Sequence, residues 1–254
     1  MRRLLLIPAA GRSNRMGGLP KELLPVGSRA GPDGTGPIPV PALRNVLECG
    51  LAAGADRVAV VTSSAKATTL MEAVNSFALG VPVVYVYQAQ PDGLGAAVLC
   101  AQAEVRDHDV TLMLMPDAVI QPPESVARAL ALVAAGATVG VTLHRVERPD
   151  HFGVAVARGR RVLGFVDKPA APCGQWVWTS VAFSADFLPL LERAQPAAGE
   201  WGLTEALDAA AASSTLEAEF VAEGAYYDVG TFDGYLAALE QSGAYGTKRA
   251  GPDS

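Results

Sequence analysis

Unbroken apolar runs of strand length alternate with helical patterns through the first half of this chain, and no other feature restricts its fold as tightly. The runs are LLLI at 4–7, RVAVV at 57–61 and VTLMLM at 110–115. A strand exposed on one face alternates apolar with polar residues, whereas a strand apolar at nearly every position is covered on both faces. The expected strands are Leu4–Ala9, Arg57–Thr62, Pro82–Gln88 and Val110–Met115; the expected helices are Pro41–Ala53, Ala65–Phe77, Leu94–Glu104 and Pro123–Ala135. This order predicts an α/β fold with right-handed crossovers: a Rossmann-like, mostly parallel sheet with helices on both faces. Ligands of such sheets sit at the carboxyl ends of strands. The turn after Ile7, Gln88 and Asp117 all fall at that edge.

From about Ala137 the texture changes to closely spaced β segments, Ala137–Val146, Gly153–Ala157, Val162–Asp167 and Val177–Ser184. They read as a small β layer added in the second half, building the site of a second substrate. Helices Phe187–Ala194 and Leu203–Ala212, a strand near Leu216–Ala222 and a helix Phe232–Gln241 follow. Residues 1–242 are expected to form a single domain of two halves, 1–136 and 137–242. A flexible tail is expected at 243–254. Segment Ser28–Pro39 is so dense in Gly and Pro that an exposed loop without regular structure is expected there.

Composition narrows the function. Of 254 residues, 50% are hydrophobic and 18% charged, which supplies a core and argues against global disorder. A net charge of −6 excludes a general nucleic-acid binder, whose footprint is basic. It does not exclude a nucleotide, because cations concentrated at one site, together with a divalent metal, can hold a polyphosphate. The three cysteines, Cys49, Cys100 and Cys173, are widely spaced with no C-x-x-C pair, so a reduced, cytoplasmic protein is expected. Pro8 and the turn after it cut off the N-terminal apolar run, which reads as a strand and not a signal peptide. No apolar stretch approaches the ~20 residues of a spanning helix, so a soluble protein without a membrane partner is expected. Self-association into a homo-oligomer is left open.

The richest segment is IPAAGRSNRMGGLPKELLPVG, Ile7 to Gly27. A Gly-containing turn after a strand lets backbone N–H groups converge on a phosphate, and Arg12, Arg15 and Lys21 supply positive charge beside it. Asp117 follows an apolar strand in MLMPDAVI, and Asp228 lies in YYDVGTFDGY. Each alone reads as a turn residue. Together with the cationic turn they form a metal-triphosphate constellation, since Mg²⁺ takes single hard oxygen ligands.

From Leu4 to about Glu240 the chain resembles the sugar-1-phosphate nucleotidyltransferases of the thymidylyl and uridylyl type. The pattern is met in order by AAGRSNRMG, PKELLPVG, Gln88–Gly93, Pro116–Asp117, Phe152–Gly153, Asp167–Lys168–Pro169, LTEAL at 203–207, and Asp228–Gly230–Thr231. The resemblance makes 1–136 the nucleotide-binding half and 137–242 the acceptor-binding half, and implies NTP binding by Ala9, Ala10, Gly11, Arg12, Ser13, Arg15 and Lys21. It implies that Gln88 and the Gly93 backbone read a uracil or thymine edge, which a primary amide complements with one donor and one acceptor. It implies Mg²⁺ on Asp117 and Asp228, the acceptor phosphate on Lys168, and acceptor contacts from Gly153, Asp167 and Gln175. Arg15, Lys21, Asp117, Lys168 and Asp228 are then the catalytic set, joining an NTP, with UTP or dTTP favoured, to a sugar 1-phosphate.

The chain departs from the pattern at Ser13, where the family has glycine, at Asp167, where it has Glu, and in CGQWVWTS at 173–180. Trp176 and Trp178 read either as core packing or as residues that reshape the acceptor pocket. Two alternatives therefore stand beside the main reading: cytidylyl transfer to a non-sugar phosphate or phosphonate, and a regulatory module that keeps the fold without turnover. His108, His144 and His151 share no ligand spacing, and Glu200 and Glu205 read as capping or solvated charges.

Overall fold

The computed structural model describes residues 1–13, 16–31, 34–90, 92–171, 173–194 and 202–242. Arg15 and the 243–254 tail lie outside the described residues. The strands, in chain order, are β1 (Arg3–Pro8), β2 (Pro25–Ala30), β3 (Pro37–Pro41), β4 (Arg57–Thr62), β5 (Val83–Tyr87), β6 (Val110–Leu114), β7 (Ala118–Gln121), β8 (Val139–Arg145), β9 (Gly153–Arg158), β10 (Arg161–Asp167), β11 (Trp176–Phe183), β12 (Leu216–Val221) and β13 (Ala225–Asp228). The helices are α1 (Ala42–Ala52), α2 (Ala67–Ser76), α3 (Leu94–Cys100), α4 (Gln102–Arg106), α5 (Val126–Ala134), α6 (Leu188–Arg193), α7 (Leu203–Ala212) and α8 (Phe232–Ser242).

Strands β5, β4, β1 and β6 lie side by side and parallel, with Leu5 opposite Val58 on one side and Leu112 on the other. Their unbroken apolar character has a direct cause. Alternate side chains of a strand point to opposite faces, and here both faces are buried. Leu4 and Leu6 enter one core with α3, α6 and α7, while Leu5 and Ile7 enter a second core with α1, α2 and α5. All four are fully buried, and burial of each stabilises by roughly 2 kcal/mol.

The second half joins the same sheet. Strand β11 runs antiparallel to β6, with Val181 opposite Met113, and pairs along its other edge with β8; at Val177, on the edge it shares with β6, it meets β9. The β9–β10 hairpin extends the sheet, and β12 closes against β8. The helical expectation Leu203–Ala212 coincides with α7. Expected helix Leu94–Glu104 is interrupted at Ala101, giving α3 and α4.

Segment Ser28–Pro39 corrects the expectation of a structureless loop. Strands β2 and β3 form an antiparallel ribbon through it, with Ser28 opposite Pro39 and Ala30 opposite Pro37. Proline lacks only the N–H, so a ribbon edge accepts it where a central strand would not. A second two-stranded sheet, β7 with β13, sets Asp228 opposite Ala118. Among the described residues no helix is long and apolar enough to cross a membrane.

Candidate active site

Two cavities open at the carboxyl ends of the parallel strands and share a wall of Lys21, Gly93, Leu94, Met115 and Asp117. Strand β1 lies between β4 and β6, so the loops after β1 and β6 leave the sheet at a switch point where a crevice forms.

The first cavity, about 540 Å³, is lined by Ala9, Ala10, Gly11 and Arg12 from the turn after β1. Gly11 and Arg12 are exposed, and nothing lies within 4 Å of where a Gly11 Cβ would be. Ser13 does not line the cavity. It is buried with φ +54°, in the left-handed region natural to the glycine it replaces. Its carbonyl accepts the N–H groups of Met16 and Gly18 at 3.0 and 3.1 Å, closing the turn. Gln88, 3% exposed, follows β5 and donates from Nε2 to the Gly93 carbonyl at 3.5 Å. Gly93 has φ +103° and begins α3, a conformation that side-chain-bearing residues rarely adopt. Amide and glycine backbone therefore converge on one edge of this cavity.

The second cavity, about 590 Å³, is lined by Gly153, Asp167, Lys168, Trp178, Thr204 and Asp228 among others. Lys168 has φ +41°, and its Nζ lies 3.4 Å from Asp167 Oδ2. Such backbone strain in a residue bearing Cβ costs about 1 kcal/mol or more and gathers at functional sites. An added Cβ at Gly153 would collide with Trp178 Nε1 and lie 2.7 Å from Thr204 Oγ1, so only glycine lets the indole reach this wall. Trp178 thus shapes the cavity, while Trp176 packs edge-on against Phe220 at 5.0 Å, outside it. Gln175 is exposed, lines neither cavity, and accepts a hydrogen bond from Arg145 just before β11.

The shared wall holds the charge. Asp117, 3% exposed, is ion-paired with Lys21. Val229 N–H donates to the Asp117 carbonyl at 2.9 Å, and Asp228 Oδ1 accepts Gly230 N–H at 2.8 Å. Thr231 Oγ1 accepts Gly234 N–H at 3.2 Å, capping α8. These contacts explain the DVGT sequence: Asp228 reaches the wall because the chain turns at once into a capped helix. A Cβ on Gly230 would stand 2.7 Å from Asp228 Oδ1, 2.8 Å from Asp117 Oδ2 and 2.9 Å from Lys21 Nζ. Two carboxylates and an ammonium thus converge on one cradle that glycine leaves free. No group of three His, Cys, Asp or Glu side chains converges among the described residues. A cation here would draw on two carboxylates and would need its other ligands from phosphate or water, as Mg²⁺ commonly does. The residues fit it. Tyr226 lines the same cavity; burial first, then the Asp228 and Asp117 charges, push its phenol well above the usual range and keep it a donor.

Sequence reasoning missed several wall residues. Glu205 and Thr204 enter the second cavity from the first turn of α7, and Glu205 Oε2 is buried without a hydrogen-bond partner among the described residues. Lys66, 7% exposed, lines the first cavity, ion-paired to the fully buried Glu22. The carboxylate of Glu205 was visible in LTEAL. Lys66 sits in a polar turn with no motif of its own.

Comparison with known proteins agrees with this geometry. A family model described as nucleotidyl transferase matches residues 33–244. The UTP–glucose-1-phosphate uridylyltransferase of Escherichia coli K12 is 29% identical over 284 residues, covering 94% of this chain and 89% of its own length. The enzyme of that name from Bacillus subtilis strain 168 is 26% identical, covering 92% and 88%. A solved structure of a UTP-bound UGPase from Acinetobacter baumannii superposes with a TM-score of 0.74 at 25% identity, covering 96% of this chain and 94% of that one.

Proposed function

Since this chain belongs to the nucleotidyl transferase family, we propose that it joins a pyrimidine NTP to a sugar 1-phosphate, giving an NDP-sugar and pyrophosphate. The observation that carries the reading is the pair of cavities meeting at Lys21 and Asp117. One holds the NTP, the other the acceptor, and the α-phosphorus sits at their common wall. An oxygen of the acceptor phosphate attacks that phosphorus in line, forming the new P–O bond. The bond to the β-phosphate oxygen breaks and its electron pair leaves with pyrophosphate. The acceptor phosphate is already anionic, so no general base is required. Positioning and charge neutralisation carry the rate.

Lys21 and the Gly11–Arg12 turn hold the triphosphate, with Arg15 as a further cation proposed from sequence. Lys168 holds the acceptor phosphate beside Asp167. Gly153, Trp178, Thr204 and Glu205 face the rest of the acceptor, and their mix of donors and carboxylates suits a polyhydroxylated ring. Asp117 and Asp228 would hold Mg²⁺, which would neutralise charge developing on the phosphate oxygens. UTP is the favoured nucleotide, in keeping with the uridylyltransferase relatives and with the Gln88–Gly93 edge. Glucose 1-phosphate is the acceptor to test first. Cytidylyl transfer to a smaller phosphate keeps one supporting observation, the Trp178 indole that occupies part of the acceptor cavity.

Pyrophosphate release measured over UTP, dTTP, CTP, ATP and GTP against a panel of sugar 1-phosphates and small phosphates tests the reading. Highest kcat/KM with UTP or dTTP and a sugar 1-phosphate is expected. Preference for CTP with a non-sugar phosphate would promote the second reading, and release with no pair would sink both.

A further inference from the structure

Lys66 belongs to none of the loops used above, yet it touches both ends of the segment that carries them. Its Nζ donates to Ser13 Oγ at 2.9 Å and lies 2.8 Å from Glu22 Oε1. Ser13 closes the turn after β1, and Glu22 is the neighbour of Lys21. The lysine itself is anchored at the start of α2: its N–H donates to Ser63 O at 3.0 Å and its carbonyl accepts Leu70 N–H at 2.9 Å. We propose that Lys66 is a positioning residue for NTP, one ammonium fastening both Ser13 and Glu22 to the scaffold behind the triphosphate-binding segment. The proposal rests on reading the cavity of Ala9, Ala10, Gly11 and Gln88 as the nucleotide half.

Three observations make this more than a buried ion pair. A serine at φ +54° is strained, and strain of that kind persists only where surrounding contacts hold it. The hydroxyl that glycine could not offer is the atom Lys66 grips. Glu22 is fully buried, and neither carboxylate oxygen has a hydrogen-bond partner among the described residues, Oε1 meeting Lys66 as an ion pair. A carboxylate in that position depends on the cation beside it, because an unpaired buried charge is strongly unfavourable. Lys66 also lines the cavity it supports, so its contacts act at the nucleotide and not at a distance. Glycine in place of Ser13 would relax the backbone but lose this link. The chain thus holds a rigid corner where a glycine turn would be free, and binding spends less conformational entropy on ordering it.

Lys66→Met alone strands Glu22, so the decisive protein is the double variant Lys66→Met/Glu22→Gln, which removes both charges together. Ser13→Ala is the second probe and leaves the ion pair intact. UTP is titrated calorimetrically into each, and steady-state constants are measured for UTP and for glucose 1-phosphate well below each melting temperature. In the double variant the UTP Kd and KM should rise about ten- to a hundredfold, the range a lost charge-assisted hydrogen bond produces. In Ser13→Ala the rise should be about three- to tenfold, with the acceptor KM and kcat within about threefold in both proteins. A UTP Kd within about twofold of wild type in the folded double variant would overturn the proposal, as would equal rises in the UTP and acceptor constants. If the double variant does not fold, Ser13→Ala decides by the same criterion. Wild-type protein that binds no NTP would instead overturn the nucleotide reading itself.

Discussion

The two cavities that meet at Lys21 and Asp117 are built on opposite plans. The nucleotide side is set by local turns, Ala9–Gly11 after β1 and the Gly93 helix start, with the side chains of Arg12, Lys66 and Gln88 beside them. The acceptor side is made of side chains from distant elements, with Lys168 after β10, Trp178 on β11 and Thr204 with Glu205 on α7. Backbone cradles tolerate little change because a turn's φ and ψ are shared by its neighbours. Side-chain walls can be refitted one position at a time. Of the departures from the resembled pattern, Asp167 and Trp178 lie on the acceptor side, while Ser13 lies in the nucleotide turn with its side chain behind the cavity.

The comparison breaks first at the shared wall, where the largest effect is expected. Asp117→Asn removes a carboxylate from the cradle and takes one ion-pair partner from the Lys21 ammonium beside it. Turnover should fall about a hundredfold or more with any acceptor, as when one electrostatic donor is lost at a reacting centre. Asp228→Asn should do the same, and raising Mg²⁺ should recover part of the loss if the missing contact is to the metal. Near-wild-type kcat in either variant would remove that aspartate from the wall.

The next test separates the sides. Gly153→Ala forces a Cβ against Trp178 and Thr204. Overpacking of this kind costs roughly 1–3 kcal/mol, so the acceptor KM should rise about ten- to a hundredfold while UTP affinity measured alone stays unchanged. Gly153→Ala/Trp178→Phe, which removes the indole N–H at the collision, should recover much of it. A parallel loss of UTP affinity would show that the two plans are not independent. A smaller effect is expected of Gln88→Ala: preference for UTP over CTP should shrink about tenfold, the scale of one hydrogen bond to the base edge, with the acceptor KM unmoved. An unchanged UTP-to-CTP ratio would take base reading away from Gln88.

The same contrast explains what was legible in the sequence. Strands β1, β4 and β6 could be read because two-sided burial imposes an unbroken apolar run, and α7 because its apolar spacing is local. Gln88 and Gly93 are five residues apart, and one turn sets their geometry. Strands β7 and β13 were missed because each is four residues long and gains its partner from more than 100 positions away. That pairing brings Asp117 to Asp228, so their meeting was expected only from resemblance. Gln175 was offered by resemblance alone; it precedes β11, and its exposed amide accepts from Arg145. The β2–β3 ribbon hid behind prolines that forbid a central strand but not an edge.

The smallest expected effect belongs to neither cavity and serves as their control. His144 on β8 is fully buried, and its Nδ1 lies 2.8 Å from Thr179 Oγ1. Burial, with the Arg128 charge adding, lowers its pKa from 6.5 to about 4, against a smaller opposing effect of a backbone hydrogen bond at Gln121. The sign follows from the depressed folded value. Above pH 6.5 both folded and unfolded chains hold the ring neutral and nothing is lost. Between 6.5 and 4 the unfolded chain binds the proton and the folded chain does not, so stability falls as pH falls. The loss should reach about 1 kcal/mol at pH 5.5. Because the ring lies outside both cavities, KM for UTP and for the acceptor should carry no matching inflection. Denaturant unfolding of wild type and His144→Gln from pH 7.5 to 5 measures this as the difference between two slopes. The variant should start less stable at pH 7.5 and lose less on acidification. Parallel curves would show that the His144 pKa is not depressed in the folded chain, and that any acid sensitivity there arises elsewhere.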